Sequence, residues 1–230
     1  MPRLSLLCLV TVILTGCATD STNTPRETTR QQPRQAIDTK SVFDLIRAAE
    51  LAEAGEANRL RLRAAELALA AGDINQVKNI LSTLALPVAA PLEQQYALTQ
   101  AKVAMAEGKG LEALDWLRKP ALARANLNQA QQVELSQMRA QAYYLARSYL
   151  ASARERMFLN PLLTGEEKLT NQEAIFSSLL ELPAENLNEQ ASKAITSELR
   201  GWLSLAAMTK QYQSNPMRQL EGPSMHLLYL

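Results

Sequence analysis

Histidine and cysteine are scarce in this chain of 230 residues: His226 is the one histidine, and Cys8 and Cys17 are the two cysteines. One histidine close to the carboxyl terminus cannot build a Ser-His-Asp or Cys-His arrangement or a histidine-rich metal site. The eight glycines are scattered, so a glycine-rich loop that could hold a phosphate is also missing. These absences predict a protein that is not an enzyme and uses neither a cofactor nor a metal ion.

The aromatic content and the net charge of the chain are low as well. Phe, Trp and Tyr make up 5% of the sequence, although 47% of the residues are apolar. The apolar content is therefore mostly Ala and Leu, which favours closely packed helices over a β-sheet and predicts an all-α fold. The 24 Lys and Arg residues nearly balance the 23 Asp and Glu residues. No strong field favours nucleic acid as a partner.

The amino terminus carries a short hydrophobic run that ends in a cysteine. Arg3 precedes the apolar residues 4–14, which are too few for a permanent membrane-spanning helix and indicate a secretory signal peptide. Residues 14–17 read Leu-Thr-Gly-Cys, the order of a bacterial lipobox. We therefore predict signal cleavage between Gly16 and Cys17, and lipidation of the Cys17 thiol.

An ordinary secretory signal that happens to contain a cysteine is the alternative, and the position of the lipobox directly behind the apolar run favours lipidation. The residue after Cys17 is Ala18 and not an aspartate. In lipoprotein sorting this resembles the signal for the outer membrane rather than the inner membrane. Several acyl chains on one residue anchor a protein stably. We expect a lipid-anchored protein on the periplasmic face of the outer membrane. Cys8 would leave with the signal, so no disulfide is expected.

Residues 17–40 differ in composition from the rest of the chain. They are rich in Thr, Arg, Gln and Pro and have little apolar surface to bury, which predicts a disordered tether. From Ser41 the sequence becomes amphipathic with a helical period. The expected order is a signal peptide at 1–16, a lipidated tether at 17–40 and a helical domain at 41–220.

Within the helical region, a helix, a turn of small residues, a second helix and a proline recur. The turns fall at Gly72, Gly108 and Ser148, and the helix pairs end near Pro87, Pro120 and Pro161. The nearly regular spacing of these turns and of these prolines predicts a tetratricopeptide-like solenoid, in which each helical hairpin packs on the next. A generic helical bundle with coincidental spacing is the alternative.

Particular residues carry further structural expectations. Five residues after each turn stands a small or β-branched residue, where helices must approach: Val77, Ala113 and Ala153. The first helix is expected to begin with a capping box at Ser41 and to stop at Gly55. A second capping box is expected at Thr170, and Gly201 is expected to mark a close helix crossing.

Three stretches, residues 153–163, 171–176 and 199–206, carry a family resemblance. They resemble the amino-terminal domain of LpoA, a family of outer-membrane lipoproteins that activate a class A penicillin-binding protein during peptidoglycan synthesis. The resemblance covers the lipobox and the region from Ser41 to about Leu220. It implies protein–protein contact with such a synthase, and makes peptidoglycan a second candidate partner.

LpoA proteins also have a larger α/β domain that is similar to periplasmic substrate-binding proteins and is credited with most of the contact to the synthase. Residues 221–230 do not resemble the family, so this second domain is expected to be absent here. A frameshifted or prematurely ended reading frame is one hypothesis for such a tail.

Charged and aromatic side chains offer few other candidate sites. A basic edge on one helix comprises Arg59, Arg61 and Arg63. Glu66 is placed to pair with Arg63. Such an edge is usually a solvated helix face, and a phosphate- or glycan-facing patch is the alternative. The carboxylates at 166–167 are interpreted as solvated charge rather than an acid–base pair. Trp116 and Trp202 fall beside leucines at helical spacing and are expected to pack in the core.

Three functional classes remain to be compared. The first is a lipid-anchored regulator of peptidoglycan synthesis, and the second is a tetratricopeptide-type adaptor of an outer-membrane assembly machine. The third, a peptidoglycan lyase, would need a catalytic glutamate in a lysozyme-like module, which the sequence around Ser197 does not supply. The sequence does not identify the partner-binding residues.

Overall fold

Helices account for nearly all of the regular structure in the computed structural model, which describes residues 39–123 and 125–214. In chain order they are α1 Thr39–Glu50, α2 Ala54–Ala70, α3 Ile74–Ser82, α4 Ala90–Ala106, α5 Gly110–Leu117, α6 Pro120–Ala123, α7 Gln129–Leu145, α8 Tyr149–Leu159, a 3-10 helix Asn160–Leu162, α9 Gly165–Leu180, α10 Ala184–Lys193 and α11 Ser197–Gln213. Within these two ranges there is no β-strand. The predicted all-α fold is confirmed.

The helices form hairpins that pack one on the next. Helices α2 and α3, α4 and α5, and α7 and α8 are joined by short turns and contact each other. Between hairpins, α2 contacts α4, α4 and α5 contact α7, and α8 contacts α9, which in turn contacts α11. This stack is the predicted tetratricopeptide-like arrangement. All described residues belong to one compact unit, Ala36–Leu230, and the other unit, Met1–Gln35, lies outside them.

The three hairpin turns share one geometry. Gly72 and Gly108 have φ of +77° and +74°, and Arg147 has φ of +57°. In each turn the next N–H donates to the carbonyl five residues earlier, with N···O distances of 3.0, 2.8 and 2.9 Å. This is the Schellman motif, which requires the left-handed conformation that glycine adopts without steric cost. The predicted turn positions are confirmed, with Arg147 rather than Ser148 as the left-handed residue of the third turn.

The left-handed arginine leads to a testable prediction. Arg147→Gly is expected to raise the free energy of unfolding by about 1 kcal/mol, because glycine removes the contact between Cβ and the carbonyl oxygen. Arg154→Gly, at an exposed position inside α8, is the matched control and should lower it by about 1 kcal/mol. Urea titration of both variants measures the two effects, and a destabilised Arg147→Gly protein would contradict the interpretation.

Buried apolar residues form three clusters along the stack. The first lies among α1 to α4 and contains Leu62 and Val77, the second lies among α4 to α7, and the third lies among α8 to α11. The residues five positions after each turn, Val77, Ala113 and Ala153, are completely buried, as predicted. Leu111 is 69% exposed, because the adjacent Gly110 takes the inward position against α7.

Several predicted helix boundaries are wrong. Helix α1 already begins at Thr39, so Ser41 lies inside it, and Gly55 belongs to the first turn of α2. Helix α9 begins at Gly165, five residues before the predicted capping box at Thr170. Glutamates in its first turn interact favourably with the positive end of the helix dipole, so the helix can start before the apolar period does.

The close helix crossing lies at Gly110 and not at Gly201. A Cβ atom on Gly201 would have no heavy atom within 4 Å beyond its own helix and chain neighbours. A Cβ on Gly110 would overlap the backbone nitrogen of Ala146 and would lie 2.6 Å from the carbonyl oxygen of Ala142. Helix α5 therefore meets the end of α7 with backbone against backbone.

Two lysines converge on Glu107 at the end of α4. Lys109 Nζ lies 2.7 Å from Oε2, and Lys78 Nζ, on α3, lies 2.7 Å from Oε1. Hydrogen bonds from Lys109 and then Lys78 lower the pKa of Glu107 from 4.5 to about 2. A carboxylate whose pKa is lower in the folded protein than in the unfolded chain stabilises the folded protein at pH values above its unfolded pKa. This stabilisation is lost as the pH falls through the folded pKa.

The lowered pKa of Glu107 predicts how the stability of a Glu107 variant depends on pH. Glu107→Gln is expected to lower the urea midpoint at pH 7, and the difference from the parent should shrink as the pH falls from 4.5 towards 2. Glu112→Gln, which removes a longer 3.8 Å pair with Lys109, is the control and should change the midpoint less at pH 7. A Glu107→Gln difference that stays constant over this range would contradict the assignment.

The connection between α3 and α4 is fixed to α2 by Asn58. The Asn58 side chain is 4% exposed, donates from Nδ2 to the Ala85 carbonyl at 2.8 Å and accepts from the Ala85 N–H at 2.9 Å. Asn58→Ala leaves both backbone groups without these partners and is expected to cost about 2–3 kcal/mol of unfolding free energy. Asn75→Ala, exposed on α3, should change it by less than about 0.5 kcal/mol. Chemical denaturation of the two variants distinguishes these outcomes, and an equal effect would exclude the role given to Asn58.

Candidate partner-binding groove

Three neighbouring cavities run along the first helices of successive hairpins. The first, of about 360 Å³, is lined by α2 and α4, and the second, of about 570 Å³, by α2, α4 and α7. The third, of about 600 Å³, is lined by α4, α7, α8 and α9. We call the three together the hairpin groove. Its lining residues are Arg59, Leu60, Arg63, Glu66, Leu69, Ala70, Gln94, Gln95, Leu98, Thr99, Lys102, Met105, Gln131, Glu134, Gln137, Met138, Gln141, Arg156, Glu166, Glu167, Thr170 and Asn171.

The spacing of polar residues along α4 and α7 explains why these helices present polar side chains to the groove. Helices α2, α4 and α7 each have 17 residues, longer than their partners α3, α5 and α8 with 9, 8 and 11. On α7, the groove residues 131, 134, 137 and 141 recur every three or four positions and share one face of the helix, and residue 138 lies on the same face four positions after 134. Five glutamines contribute amide donors and acceptors to this face of α4 and α7: Gln94, Gln95, Gln131, Gln137 and Gln141.

The basic edge predicted on α2 is largely neutralised. Arg63 pairs with Glu66 at 3.6 Å, as predicted, and the Arg59 guanidinium donates to Glu56. The hydrogen bond from Arg59 lowers the pKa of Glu56. Arg61 does not line the groove, so the three arginines do not form a single anion-binding patch.

The charged side chains in the middle of the groove also have partners. Lys102 on α4 and Glu134 on α7 form an ion pair of 2.9 Å, and Gln95 Nε2 donates to Glu66 at 2.8 Å. Both interactions join successive hairpins across the groove. Exposed pairs of this kind contribute little to stability, so a bound partner can replace them at low cost.

Two side chains that line the third cavity each carry a buried polar atom for which the described residues supply no hydrogen-bond partner. Asn171 on α9 is 4% exposed, and its Nδ2 donates to the Arg156 carbonyl at 2.9 Å, while its buried Oδ1 accepts no hydrogen bond. The buried Nε of Arg156 has no acceptor, and burial lowers the pKa of this guanidinium. Unpartnered buried polar atoms of this kind are costly and require an explanation.

Two carboxylates lie at the edge of the same cavity. Glu166 and Glu167 occupy the first turn of α9 and are exposed. Among the described side chains, no Lys or Arg lies within 4 Å of either carboxylate. The interpretation of this pair as solvated charge agrees with its exposure, and its position on a cavity that Arg156 also lines was not predicted.

The two tryptophans pack in the body of the protein. Trp116 meets Tyr96 edge to face, with ring centroids 5.5 Å apart, and the Lys119 ammonium lies 5.0 Å from its ring. Trp202 packs against the third cluster. Both tryptophans are half-buried and pack against core clusters without being part of them, so the prediction of core positions holds only in part. Among the described residues, no aromatic side chain lines the hairpin groove.

Other predicted sites fall outside the described residues. Gly16 and Cys17, the tether up to residue 38, the tail after Leu220 and His226 all lie there, while residues 39 and 40 of the predicted tether belong to α1. Within residues 39–123 and 125–214, no group of three or more His, Cys, Asp or Glu could hold a metal ion. In the same residues no helix combines the length and apolar character needed to cross a bilayer.

The hairpin stack and its polar groove define a tetratricopeptide-like repeat protein, a class that presents a long surface to other molecules. Residues 33–222 match the family model described as "LppC putative lipoprotein". The chain belongs to the LppC family of lipoproteins, which is not a known enzyme family.

Solved structures of LpoA from Haemophilus influenzae share this fold. Full-length LpoA at 1.97 Å is 19% identical, with a TM-score of 0.52 over 79% of this chain and 33% of that chain. The LpoA N-terminal domain at 1.35 Å is 17% identical, with a TM-score of 0.50 over 82% of this chain and 84% of that one. The chain therefore spans about a third of full-length LpoA. Comparison with curated proteins gave no match.

Proposed function

We propose that this chain is an outer-membrane lipoprotein that supports peptidoglycan synthesis by activating a class A penicillin-binding protein through protein–protein contact. The family match over residues 33–222 carries the proposal. The lipobox that ends at Cys17 supports the anchor, and the absence of an aspartate after it supports the outer-membrane address.

The proposed anchor and tether define where the helical domain can act. A flexible chain of the length of residues 18–40 typically spans about 25 Å, and about 80 Å when fully extended. A helical body held at this distance can contact proteins in the periplasm while its acyl chains remain in the bilayer.

Incorporation of radiolabelled diaminopimelate into sacculi tests the proposed function. Depleting the chain from the host bacterium is expected to slow incorporation before growth slows, and re-expression should restore the rate. Depletion of a control lipoprotein with no role in the cell wall should leave incorporation unchanged. An unchanged rate after depletion of this chain would contradict the proposal.

The second candidate is an adaptor of an outer-membrane assembly machine. The glutamine-lined hairpin groove favours it, because tetratricopeptide-type adaptors bind partner peptides along such surfaces. In this case depletion lowers the abundance of outer-membrane β-barrel proteins and leaves diaminopimelate incorporation unchanged. Measuring β-barrel protein abundance and diaminopimelate incorporation in the same cells distinguishes the two functions.

A further inference from the structure

We propose that residues 225–230 of this chain dock in an apolar cavity between α8 and α11, outside the hairpin groove. These residues read Met-His-Leu-Leu-Tyr-Leu and lie outside the described part of the chain. The inference goes beyond the proposed function and does not rest on it, so either can fail without the other.

The cavity has a volume of about 430 Å³ and lies where the link between α10 and α11 meets α8. Met157 and Phe158 line it from α8, Ile195 lines it from the link, and Leu199 lines it from the start of α11. Phe158 is 68% exposed and Ile195 is 96% exposed, so two large apolar side chains stand in water at this site. Exposed apolar side chains gathered at one concave site are typical of a docking surface.

The charged residues of the cavity do not favour a charged ligand. Arg154 lines the cavity from α8 and Glu198 lines it from α11, so these two charges have opposite signs. Lys193, the third charged residue of the lining, already pairs with Glu189. The apolar surface therefore determines which ligand binds, and an uncharged apolar segment fits it better than a basic or an acidic one.

Residues 225–230 supply an apolar segment of this kind. Five of these six residues are apolar: one Met, three Leu and one Tyr. Contact with Phe158 and Ile195 would remove apolar surface from water on both sides, and this is favourable in proportion to the area removed. The segment and the cavity therefore provide the partner that each lacks.

Helix α11 provides an apolar route from the end of the described chain to the cavity. Leu205 and Met208 are both exposed, and they lie seven and ten positions after Glu198, on the same face of α11. A segment that runs back from Gln213 along this face would pass Met208, then Leu205, and then reach the cavity.

The length of the connecting chain permits this route. The 17 residues of α11 span about 25 Å. Residues 214–224 can extend to about 36 Å, so residues 225–230 can reach the opposite end of the helix. Short linkers give a joined segment an effective concentration on the order of millimolar, so weak affinity is sufficient. This favours the chain's own segment over a second copy or another protein.

Alkylation of a cysteine in the cavity tests the proposal in the full chain, held in phospholipid nanodiscs. Arg154→Cys places a thiol at an exposed position of the lining without removing an apolar side chain. Its reaction with N-ethylmaleimide is expected to be at least fivefold slower than in the same protein with Leu227→Ser, Leu228→Ser and Leu230→Ser. Mass spectrometry of peptides assigns the label to each cysteine.

Ser82→Cys is the matched control for Arg154→Cys. Ser82 is exposed at the end of α3, far along the stack from α8. Its alkylation rate should be the same with and without the three serine substitutions. A rise at both cysteines would contradict the proposal, because it would indicate a general loosening of the protein.

A second set of variants tests the cavity side of the contact. Phe158→Ser with Ile195→Ser is expected to make chymotrypsin cleavage within residues 225–230 at least threefold faster. Phe43→Ser with Leu51→Ser changes an equally exposed apolar pair at the α1 end of the stack and should leave cleavage unchanged. Because both pairs are exposed, the variants are expected to remain folded.

Three further results would overturn the proposal. Equal alkylation of Arg154→Cys with and without the three serines would do so: two fast rates mean an open cavity, and two slow rates mean that a lipid or another segment covers it. Alkylation that slows as the protein concentration rises would assign the contact to a second copy. Equal cleavage rates in the two surface-pair variants would exclude Phe158 and Ile195 as the docking site.

Discussion

Gly110→Ala is expected to lower the free energy of unfolding by about 3 kcal/mol. The added methyl group would lie 2.6 Å from the Ala142 carbonyl oxygen and 2.7 Å from the Leu145 carbonyl carbon, and would overlap the Ala146 nitrogen. All three are backbone atoms in the last turn of α7 and its cap, so relief requires the two helices to separate. Overpacking of a well-packed contact typically costs about 1–3 kcal/mol, and the rigid backbone places this site at the upper end.

Gly201→Ala is the matched control for Gly110→Ala. Gly201 also lies in a helix, yet it is exposed and a Cβ there meets open space. Because alanine is the better helix former, this variant should be stabilised by about 0.5–1 kcal/mol. Urea denaturation of the two variants gives opposite signs if the α5–α7 contact is as described, and a neutral Gly110→Ala would contradict it.

Cys17→Ser is expected to change where the protein is found. A serine lacks the thiol that receives the lipid, so the lipidated form should disappear and the protein should leave the membrane fraction. With several acyl chains per molecule the parent should remain almost entirely in that fraction. Radiolabelled palmitate incorporation and fractionation of envelopes measure the two effects.

Cys8→Ala provides the control for Cys17→Ser. Cys8 lies in the apolar run and precedes the lipobox, so its loss should leave both acylation and membrane association unchanged. If Cys17→Ser still incorporates palmitate, or if the parent is recovered unprocessed, then residues 1–17 are not a lipoprotein signal.

The hairpin turns were predictable from sequence because glycine marks the left-handed conformation. Gly72 and Gly108 stand where helix ends need positive φ, and the buried small residues five positions later follow from the helical period. The third turn was placed one residue late, since Arg147 gives no such signal. Gly201 was misinterpreted because a glycine's neighbours in space depend on packing that its own helix does not determine.

The candidate groove was largely beyond sequence reasoning. Polar spacing on α7 does carry a signal, because Gln131, Glu134, Gln137 and Gln141 recur every three or four positions, and an inspection of polar periodicity could have found it. The unpartnered Asn171 oxygen and Arg156 nitrogen give no such signal, since both depend on how α8 and α9 pack. The capping box predicted at Thr170 even placed Asn171 at a helix start, whereas it lies inside α9.

The central claim, that this lipoprotein supports peptidoglycan synthesis, is tested most directly by combining two deletions in the host bacterium. One removes the gene for this chain, and the other removes the class A synthase that does not depend on it. The account predicts that each single mutant forms colonies and that the double mutant does not unless the chain is supplied from a plasmid. Double mutants that grow as well as the single mutants would contradict it.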